Sequence, residues 1–378
     1  MFHSKRNIAI TVTALAVLAI AAALCLRSCH SPPAITHAAN APDSTVAAFA
    51  GSTPAASPPA APQPTPEQSA RKGQIYFHRN LTLSKLIPGE GVVTRLADLG
   101  EKGLVPYQIH SARLSPDATR MAYGNAVTKP VGNGLFGSFP PEAIFLRQVT
   151  TSEPGEKLVE IQGSEIHEFF WSPDSAQVAF KSWDADKGIR DWVVDVASKV
   201  LHELKLPIYH SPDAKEYPLA IDAWSPDGGK FAAFADKFLY VVTMNKTGAV
   251  WSWSGRGRLT KDAHKILGGT CSFSPDGRKV LFVTVDEGVR MSLMTAEVGG
   301  GQDRVLVALG KFTDLYGCWS PEGKRIAFSG THLDAAGKRV GLSGIYILDA
   351  SATDAQPSGV LEEVHPPEQF RLRLVDWR

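Results

Sequence analysis

A short turn motif recurs five times in this chain. Each copy reads Ser-Pro-Asp or Ser-Pro-Glu, with an aromatic residue or leucine before it and a short apolar run after it. The copies are Leu114–Asp117, Trp171–Asp174, Trp224–Asp227, Phe273–Asp276 and Trp319–Glu322. Self-similarity at a spacing of roughly 45 to 60 residues is typical of chains that stack one supersecondary unit many times. The repeat therefore restricts the fold before any single residue is interpreted.

The residues of the repeat predict a four-stranded antiparallel unit. In Ser225–Gly228 the order Ser, Pro, Asp, Gly suits a β-turn, because proline presets φ at the second position and glycine suits the fourth. Runs such as Phe231–Phe234 and Phe238–Val242 are strand-like, and a weaker run such as Val305–Val307 closes the unit. Such a sheet is a β-propeller blade, which buries its faces only against neighbouring blades.

The two ends of the array complement each other. Residues 73–98 begin at the second strand of a unit, because Gly73–Phe77 matches the run after a turn and Val92–Leu96 matches a closing strand. Leu372–Trp377 matches the strand that leads into a turn. Together they make one blade, which closes the ring and removes an exposed sheet edge. The sequence thus predicts an all-β fold, a six-bladed β-propeller of four-stranded antiparallel blades with split-blade closure.

The repeat also carries a family resemblance. An aromatic residue, Ser-Pro-Asp-Gly, a strand and an Ile-Tyr strand that ends near an aspartate, here Ile345–Asp349, resemble the WD-type repeat of the TolB-like propeller family over nearly all of residues 73–378. That family includes a periplasmic protein that binds partner proteins, so the resemblance implies a protein partner. It also includes the propeller domains of prolyl oligopeptidase-like enzymes. From the sequence we expect neither the α/β domain of the former nor the hydrolase domain of the latter.

An apolar segment near the amino terminus predicts a membrane anchor. Ile8–Leu26 contains no charged residue, and about 20 apolar residues suffice for a helix to cross a bilayer. The segment is long for a cleavable signal core. Lys5 and Arg6 favour a cytoplasmic location for residues 1–7. We therefore expect an uncleaved, single-pass signal anchor at 8–26 in the inner membrane, with the propeller in the periplasm.

Lipidation is the alternative for this segment. Leu26–Cys29 loosely resembles the signal that lipidates a cysteine, but Arg27 lies inside it, and the alternative Cys25 follows a leucine where a small residue is expected. Either anchor places the propeller next to a membrane. Residues 27–72 are rich in Ala, Pro, Ser and Thr, a composition that predicts a disordered, semi-extended linker between the anchor and the propeller at 73–378.

The charge balance and the cysteine content argue against nucleic-acid binding and against a fold held together by disulfides. The 39 basic and 38 acidic residues nearly cancel, so no overall field attracts nucleic acid. A polar-surfaced propeller of about 300 residues buries one core and is expected to be monomeric. Four cysteines are too few for a disulfide scaffold. Cys271 and Cys318 stand two and one residues before the repeat aromatic, so they are predicted to face opposite sides of their strands as buried free thiols.

Several motifs match the residue spacing of catalytic or ligand-binding sites, but they lack the neighbouring structure or the further residues that such sites need. Gly132–Gly137 has the dinucleotide-binding glycines, but the prolines of Ser138–Pro141 follow instead of a helix. Asp184–Gly188 opens like a calcium loop without the later glutamate. Gly341–Gly344 misses a nucleophile elbow by one residue, and His167 lacks the second histidine of a zinc helix. No catalytic set, metal site or cofactor is predicted.

One polar constellation survives alignment of the repeats. Four residues before the repeat aromatic stand His110, His167 and Arg373, on three blades that neighbour one another in the ring. Glu168, Asp222 and Tyr316 lie within two positions of that layer. Such a cluster at the mouth of the channel would suit an anionic group, a metal or the acidic tail of a partner. The alternative is that these side chains satisfy backbone groups where strands end.

Two loops at the rim are candidate contact surfaces. The first holds Tyr209, His210 and Tyr217, and the second holds Phe136 and Phe139. Aromatic residues are enriched in the cores of protein interfaces. Ordinary loop packing is the alternative for both.

The sequence favours a non-catalytic platform that binds a protein or a cell-envelope component. Two other classes stay open. One is an envelope lyase or hydrolase, with or without a metal, that uses the channel-mouth histidines. The other is a sensor that binds a small ligand in the channel.

Overall fold

The computed structural model describes residues 73–378 except for 80–81, 89, 91, 99–108, 126, 133–134, 140–141, 152–154, 211–215, 248–249, 261–264, 287–289, 301–302, 354–356 and 365–371. The predicted segments 1–7, 8–26 and 27–72 lie outside the described residues. Within the described part, no helix is long and apolar enough to span a bilayer.

Every regular element in the described residues is a β-strand, and the strands form antiparallel sheets. The closing sheet combines both ends of the array in the order β27-β1-β2-β3. Its strands are β1 (Ile75–Arg79), β2 (Thr82–Leu86), β3 (Val93–Asp98) and β27 (Leu372–Trp377). The first sheet, ordered β4-β5-β8-β9, is made of β4 (Ile109–Leu114), β5 (Arg120–Asn125), β8 (Ala143–Gln148) and β9 (Glu156–Glu160).

The second and third sheets are continuous in the chain. The second is made of β10 (Glu165–Trp171), β11 (Gln177–Asp184), β12 (Gly188–Asp195) and β13 (Leu201–Leu204). The third is made of β16 (Ala220–Trp224), β17 (Lys230–Ala235), β18 (Phe238–Thr247) and β19 (Val250–Arg258). Each therefore has the four antiparallel strands that the repeat predicts.

Strands β20 to β26 form two units that share one long strand, β23. They are β20 (Ser272–Phe273), β21 (Lys279–Val285), β22 (Met291–Glu297), β23 (Arg304–Trp319), β24 (Arg325–Leu333), β25 (Arg339–Asp349) and β26 (Ser358–Val364). The first part of β23 pairs with β22 and its second part pairs with β24. We refer to β20, β21, β22 and the first part of β23 as the fourth sheet, and to the remainder as the fifth sheet.

Two hairpins occupy segments that the sequence suggests are loops. The glycine-rich insertion of the first sheet forms β6 (Val127–Gly132) and β7 (Leu135–Phe139). The segment after the second sheet forms β14 (Ile208–His210) and β15 (Glu216–Pro218). Glycines and one proline lower strand propensity in the first segment and prolines do so in the second, but pairing across each hairpin satisfies the backbone groups.

The repeated turn is held by its serine and its acid. Ser225 Oγ donates to Asp227 Oδ1 at 2.6 Å and accepts the Lys230 N–H at 2.8 Å. The Gly228 N–H donates to the Ser225 carbonyl at 3.0 Å, which closes the predicted turn. Gly228 has φ +73°, and an ideal Cβ there would lie 3.7 Å from Pro173 of the preceding turn. Successive turns therefore touch each other.

Tryptophans of the repeat link neighbouring sheets. Trp171 Nε1 donates to the Arg113 carbonyl at 3.0 Å, and Trp319 Nε1 donates to the Ser272 carbonyl at 3.1 Å. Trp224 instead donates to the Gly228 carbonyl of its own turn. The first strand of each sheet contacts that of the next in the order β4, β10, β16, β20, β23, β27, and β27 contacts β4.

The first and last described segments pair as the sequence predicts. Ile75 lies opposite Trp377 in the β1–β27 ladder. The Gln74 N–H donates to the Arg378 carbonyl at 2.6 Å, and the Arg378 N–H donates back to the Gln74 carbonyl at 2.9 Å. The ends of the array therefore complete one sheet.

The hydrophobic core lies between the sheets. Each cluster of buried apolar residues draws on two successive sheets, as where Phe170 of β10 packs in one cluster with Phe231 of β17. Cys271 and Cys318 are buried and free, and they belong to different clusters, which confirms the prediction for these thiols. Because every cluster needs two sheets, no sheet buries its faces alone.

Candidate functional site

Bulges near the starts of the inner strands carry most of the predicted site. The register of β4 shifts between Ile109 and Ser111, that of β10 between Ile166 and Phe169, and that of β16 between Ile221 and Ala223. The residues within these shifts are His110, His167, Glu168 and Asp222. A bulge bends the strand and re-aims the side chain that it carries. We use the term channel-side cluster for the buried and half-buried polar residues that meet near these bulges, namely Arg113, Glu168, Lys181, Asp191, Asp222, Tyr316 and Arg373.

Asp222 is completely buried, and its carboxylate is saturated with donors. It accepts a hydrogen bond from Lys181 Nζ at 3.0 Å, from the Gly269 N–H at 2.5 Å and from the Cys271 N–H at 3.0 Å. Burial alone would raise the pKa of Asp222, but the Lys181 ammonium and the backbone N–H groups hold it below its ordinary value. This carboxylate therefore ties the third sheet to the second and to the segment that leads into the fourth.

Two further charged residues belong to the cluster. Lys181 on β11 is buried, and its ammonium lies 4.8 Å from the centre of the Phe234 ring. Burial acts to lower its pKa, but Asp222 and Glu168 raise it overall. Asp191 on β12 accepts the Ile221 N–H at 3.3 Å. Burial raises the pKa of Asp191 to about 7, against the opposing effect of Lys181.

Arg113 crosses the space enclosed by the inner strands. It lies on β4 of the first sheet, and its Nη2 donates to the carbonyl of Gly269, which leads into the fourth sheet, at 2.8 Å. Desolvation of the guanidinium and the nearby Arg373 lower the pKa of Arg113, whereas Glu168 and Asp222 raise it. The strands on opposite sides of the enclosed space are thus joined by one side chain.

Glu168 covers the same glycine. A Cβ added to Gly269 would collide with the Glu168 carboxyl group, and Gly269 has φ +77°. The Oε2 atom of Glu168 is buried and has no hydrogen-bond partner among the described residues. Gly269 therefore has its N–H bound by Asp222, its carbonyl bound by Arg113 and its Cα covered by Glu168.

Arg373 and Tyr316 form the part of the cluster contributed by β27 and β23. The Arg373 guanidinium lies 3.9 Å from the centre of the Tyr316 ring, within cation–π range. Its effect on the pKa of Arg113 places it in the same electrostatic environment. The structure thus brings four predicted residues into the channel-side cluster, namely Glu168, Asp222, Tyr316 and Arg373, and adds Arg113, Lys181 and Asp191.

The histidines are placed differently. His167 Nε2 lies 3.8 Å from Glu165 Oε2 on the same strand, and its side chain is 38% exposed. His110 lies on β4, and its side chain is outside the described part of the structure. No group of three His, Cys, Asp or Glu side chains in the described residues is placed to hold a metal ion.

The predicted rim residues lie on the two hairpins. Phe136 and Phe139 are on β7, Tyr209 and His210 are on β14, and Tyr217 is on β15. Tyr209 stands opposite Tyr217 in the hairpin ladder. Their side chains are outside the described part of the structure, so their role in binding stays a prediction.

Comparison with solved structures identifies the architecture. The alignment with TolB from Acinetobacter baumannii covers 80% of this chain and 66% of the TolB chain, at 18% identity and a TM-score of 0.50. The fold is that of a TolB-like β-propeller. It is also similar to a putative TolB from Agrobacterium tumefaciens, at 18% identity over 74% of this chain and 91% of the other, with a TM-score of 0.42.

The propeller domain of the Trilobed protease from Pyrococcus furiosus is similar at 14% identity over 67% of this chain and 71% of that chain, with a TM-score of 0.39. The chain spans just under two thirds of the length of the Acinetobacter protein, at 66%. No protein-family model and no curated protein matches the sequence. The similarity to the Acinetobacter structure therefore establishes the fold, as the sequence resemblance implied.

Proposed function

We propose that this chain is a non-catalytic, protein-binding platform of the cell envelope. In this proposal residues 73–378 form a six-bladed propeller in the periplasm, residues 8–26 hold it in the inner membrane, and residues 27–72 act as the tether. The TolB-like fold supports a protein partner. Tethering raises the effective concentration of the platform at one membrane without any new contact.

The blade count is supported by the contacts between inner strands. The strands β4, β10, β16, β20, β23 and β27 contact one another in succession and return to β4. With β23 shared between the fourth and fifth sheets, each of these strands begins a four-stranded unit. The inner strands line the space that they enclose, so the outer strands and the two mouths are the surfaces left for binding.

The observation that carries the proposal is that the channel-side cluster is occupied by its own contacts. Arg113 reaches across to Gly269, and Lys181 and backbone N–H groups saturate Asp222. Small-ligand sites are normally concave cavities with a few convergent polar groups. Here Arg113, Lys181 and Asp222 are bound by other groups of the chain, which favours recognition on the surface over a substrate held in the channel.

Photo-crosslinking of the full-length chain in intact cells tests this proposal. A benzophenone amino acid replaces one residue at a time at three positions, the half-buried Tyr316 at the cluster and the exposed Trp253 on β19 and Val340 on β25. We expect irradiation to give a discrete protein adduct from at least one position, absent without irradiation. Folded, membrane-bound protein that gives no adduct from any of the three positions would overturn the proposal.

A further inference from the structure

The outer strand of the third sheet has an uncovered edge. β19 pairs with β18 on one side, and no described strand pairs with its other side. Residues 252–254 and 256–258 are exposed. An exposed strand edge is a row of free N–H and C=O groups and is a template for pairing with another chain.

Two glycines keep this edge open. Gly255 and Gly257 lie within β19 and have no positive φ, and a Cβ added to either would meet no atom within 4 Å. Neither backbone conformation nor packing therefore requires glycine at these positions. Glycine inside a strand weakens it and often marks a site where another backbone approaches closely.

β19 combines exposure with a lack of acidic residues. β3, β9, β13 and β26 each contain an aspartate or glutamate, and the first part of β23, residues 304–312, contains none but is mostly buried or half-buried, whereas the whole β18–β19 hairpin, residues 238–258, contains none and β19 is exposed. The cations of this hairpin are Lys246, Arg256 and Arg258. Acidic side chains on a second strand laid along β19 would therefore meet only positive charge from this hairpin.

The cations of the hairpin are already ordered by aromatic rings. Lys246 lies 5.3 Å from the centre of the Trp251 ring, and Arg258 lies 4.9 Å from that of Phe238. Arg256 lies 5.9 Å from the Tyr240 ring, and its Nη1 donates to the Ile208 carbonyl at 2.9 Å. Ordered side chains lose less conformational entropy when they bind a partner.

Exposed apolar groups lie beside the same edge. Trp253 on β19 is 46% exposed, and Ile208 on the neighbouring hairpin, which Arg256 contacts, is 47% exposed. Aromatic residues and arginine are the side chains most enriched in interface cores. The edge therefore combines free backbone groups, cations and apolar surface.

We propose that β19 binds an acidic, extended segment of a partner protein, which adds to the third sheet as a further strand. The inference rests on the proposed function and names the surface and the partner chemistry for it. Main-chain hydrogen bonds to β19 supply the pairing, and Arg256 and Arg258 select carboxylates on alternate residues of the added strand.

The test uses the full-length chain in detergent micelles and three fluorescent peptides. The first alternates glutamate and valine, the second has the same sequence with alternate backbone nitrogens methylated, and the third replaces glutamate with lysine. We expect fluorescence anisotropy to show saturable binding of the first peptide alone. The N-methylated peptide keeps the charge but loses the strand-pairing edge, so its failure to bind separates strand addition from simple charge attraction.

The second part of the test reverses the positive charges on β19. We expect Arg256→Glu together with Arg258→Glu to weaken binding of the acidic peptide at least about tenfold, because attraction at two positions becomes repulsion. Arg95→Glu on the outer strand β3 is the matched control and should leave binding unchanged. Circular dichroism and the melting temperature verify that both variants are folded.

Three results would overturn the inference. They are equal binding of the N-methylated peptide, unchanged binding after the double charge reversal, and displacement of the acidic peptide by phosphatidylglycerol vesicles that bind the same arginines. A crosslink from Tyr316 or Val340 without peptide binding at β19 would support the proposed protein-binding function and contradict only the proposed role of β19. If no position gave a crosslink, the proposed protein-binding function itself would be contradicted.

Discussion

At the scale of single residues, the channel-side cluster converges on one glycine. Gly269 gives its N–H to Asp222 and its carbonyl to Arg113, and it lies under Glu168. Its φ of +77° is in the left-handed region, where a side chain is strained. Three sheets therefore depend on the absence of one side chain.

We expect Gly269→Ala to destabilise the protein more than an ordinary left-handed glycine does. Gly163→Ala is the control, because Gly163 has φ +72° and a Cβ there would meet nothing within 4 Å. The control should lose about 1 kcal/mol from strain alone, and Gly269→Ala should lose clearly more in urea denaturation. In a Glu168→Ala background the extra loss should disappear. Equal losses for both glycines would contradict the packing described.

The pKa of Asp191 predicts a pH dependence. Its folded value of about 7 lies above the ordinary 3.8, so between these values the folded protein keeps a proton that the unfolded chain releases. Stability should therefore fall as pH rises through this window. Asp191→Asn retains an oxygen for the Ile221 N–H but cannot ionise, so it should remove that fall.

Urea denaturation at pH 4.5 and pH 7.5 checks this. As pH rises, the free energy of unfolding of Asp191→Asn should increase relative to that of the wild type, by about 1 kcal/mol for each pH unit between the two pKa values. The buried ion pair of Lys181 and Asp222 is present in both proteins and cancels in the comparison. A constant difference between the two proteins across this pH range would show that Asp191 titrates normally.

Sequence analysis found some of these residues but not their partners. Asp222 and Glu168 could be identified from the sequence because they lie near an aligned position of the repeat. Lys181 and Asp191 carried a weaker signal, a charge inside an apolar strand run, which alone does not reveal the partner. Arg113 contacts a residue 156 positions away, and no local pattern encodes such a contact. The bulges also shift which residue of each inner strand meets its neighbours, so a fixed count from the aromatic residue fails.

At the scale of elements, the turn and the strands around it were predictable because their determinants are local. Proline fixes one dihedral angle and the serine and aspartate bond within the same few residues, so the turn forms wherever the motif occurs. The buried serine is the centre of that network. Ser274 Oγ donates to Asp276 Oδ1 at 2.6 Å and accepts the Lys279 N–H at 2.9 Å.

We expect Ser274→Ala to cost about 1 to 3 kcal/mol of stability, because the Lys279 N–H and the Asp276 carboxylate lose a buried partner. Ser198→Ala removes the same kind of serine–aspartate hydrogen bond, 2.9 Å to Asp195, at an exposed turn. Water replaces that bond, so the control should change stability by no more than about 0.5 kcal/mol. Thermal and urea unfolding compare them, and similar losses would show that burial does not matter here.

At the scale of the whole molecule, closure depends on the last strand. Leu372, Leu374 and Trp377 of β27 are buried in one cluster with Ile75 and Phe77 of β1. The sequence predicted this pairing because each end of the array supplies only part of a unit. The hairpins β6–β7 and β14–β15 were not predicted, because they are insertions outside the repeat, and glycine and proline obscure the strand pattern of the first and proline that of the second.

We expect a chain that ends at residue 371 to lose its cooperative unfolding transition. Each large side chain of β27 contributes about 1.5 to 3 kcal/mol by burial, and three of them approach a typical total stability of about 5 to 15 kcal/mol. The uncovered edge of β1 should also promote association, visible by size-exclusion chromatography. Adding the peptide 372–378 in trans should partly restore the transition. A truncated protein with the wild-type melting temperature would contradict this role.

The side chain that spans the enclosed space has a consequence for transit. The Arg113 guanidinium is hydrogen-bonded to the Gly269 carbonyl, so one side chain crosses the space between the first sheet and the segment that leads into the fourth. A solute that moves along this space would meet a fixed positive charge on its way.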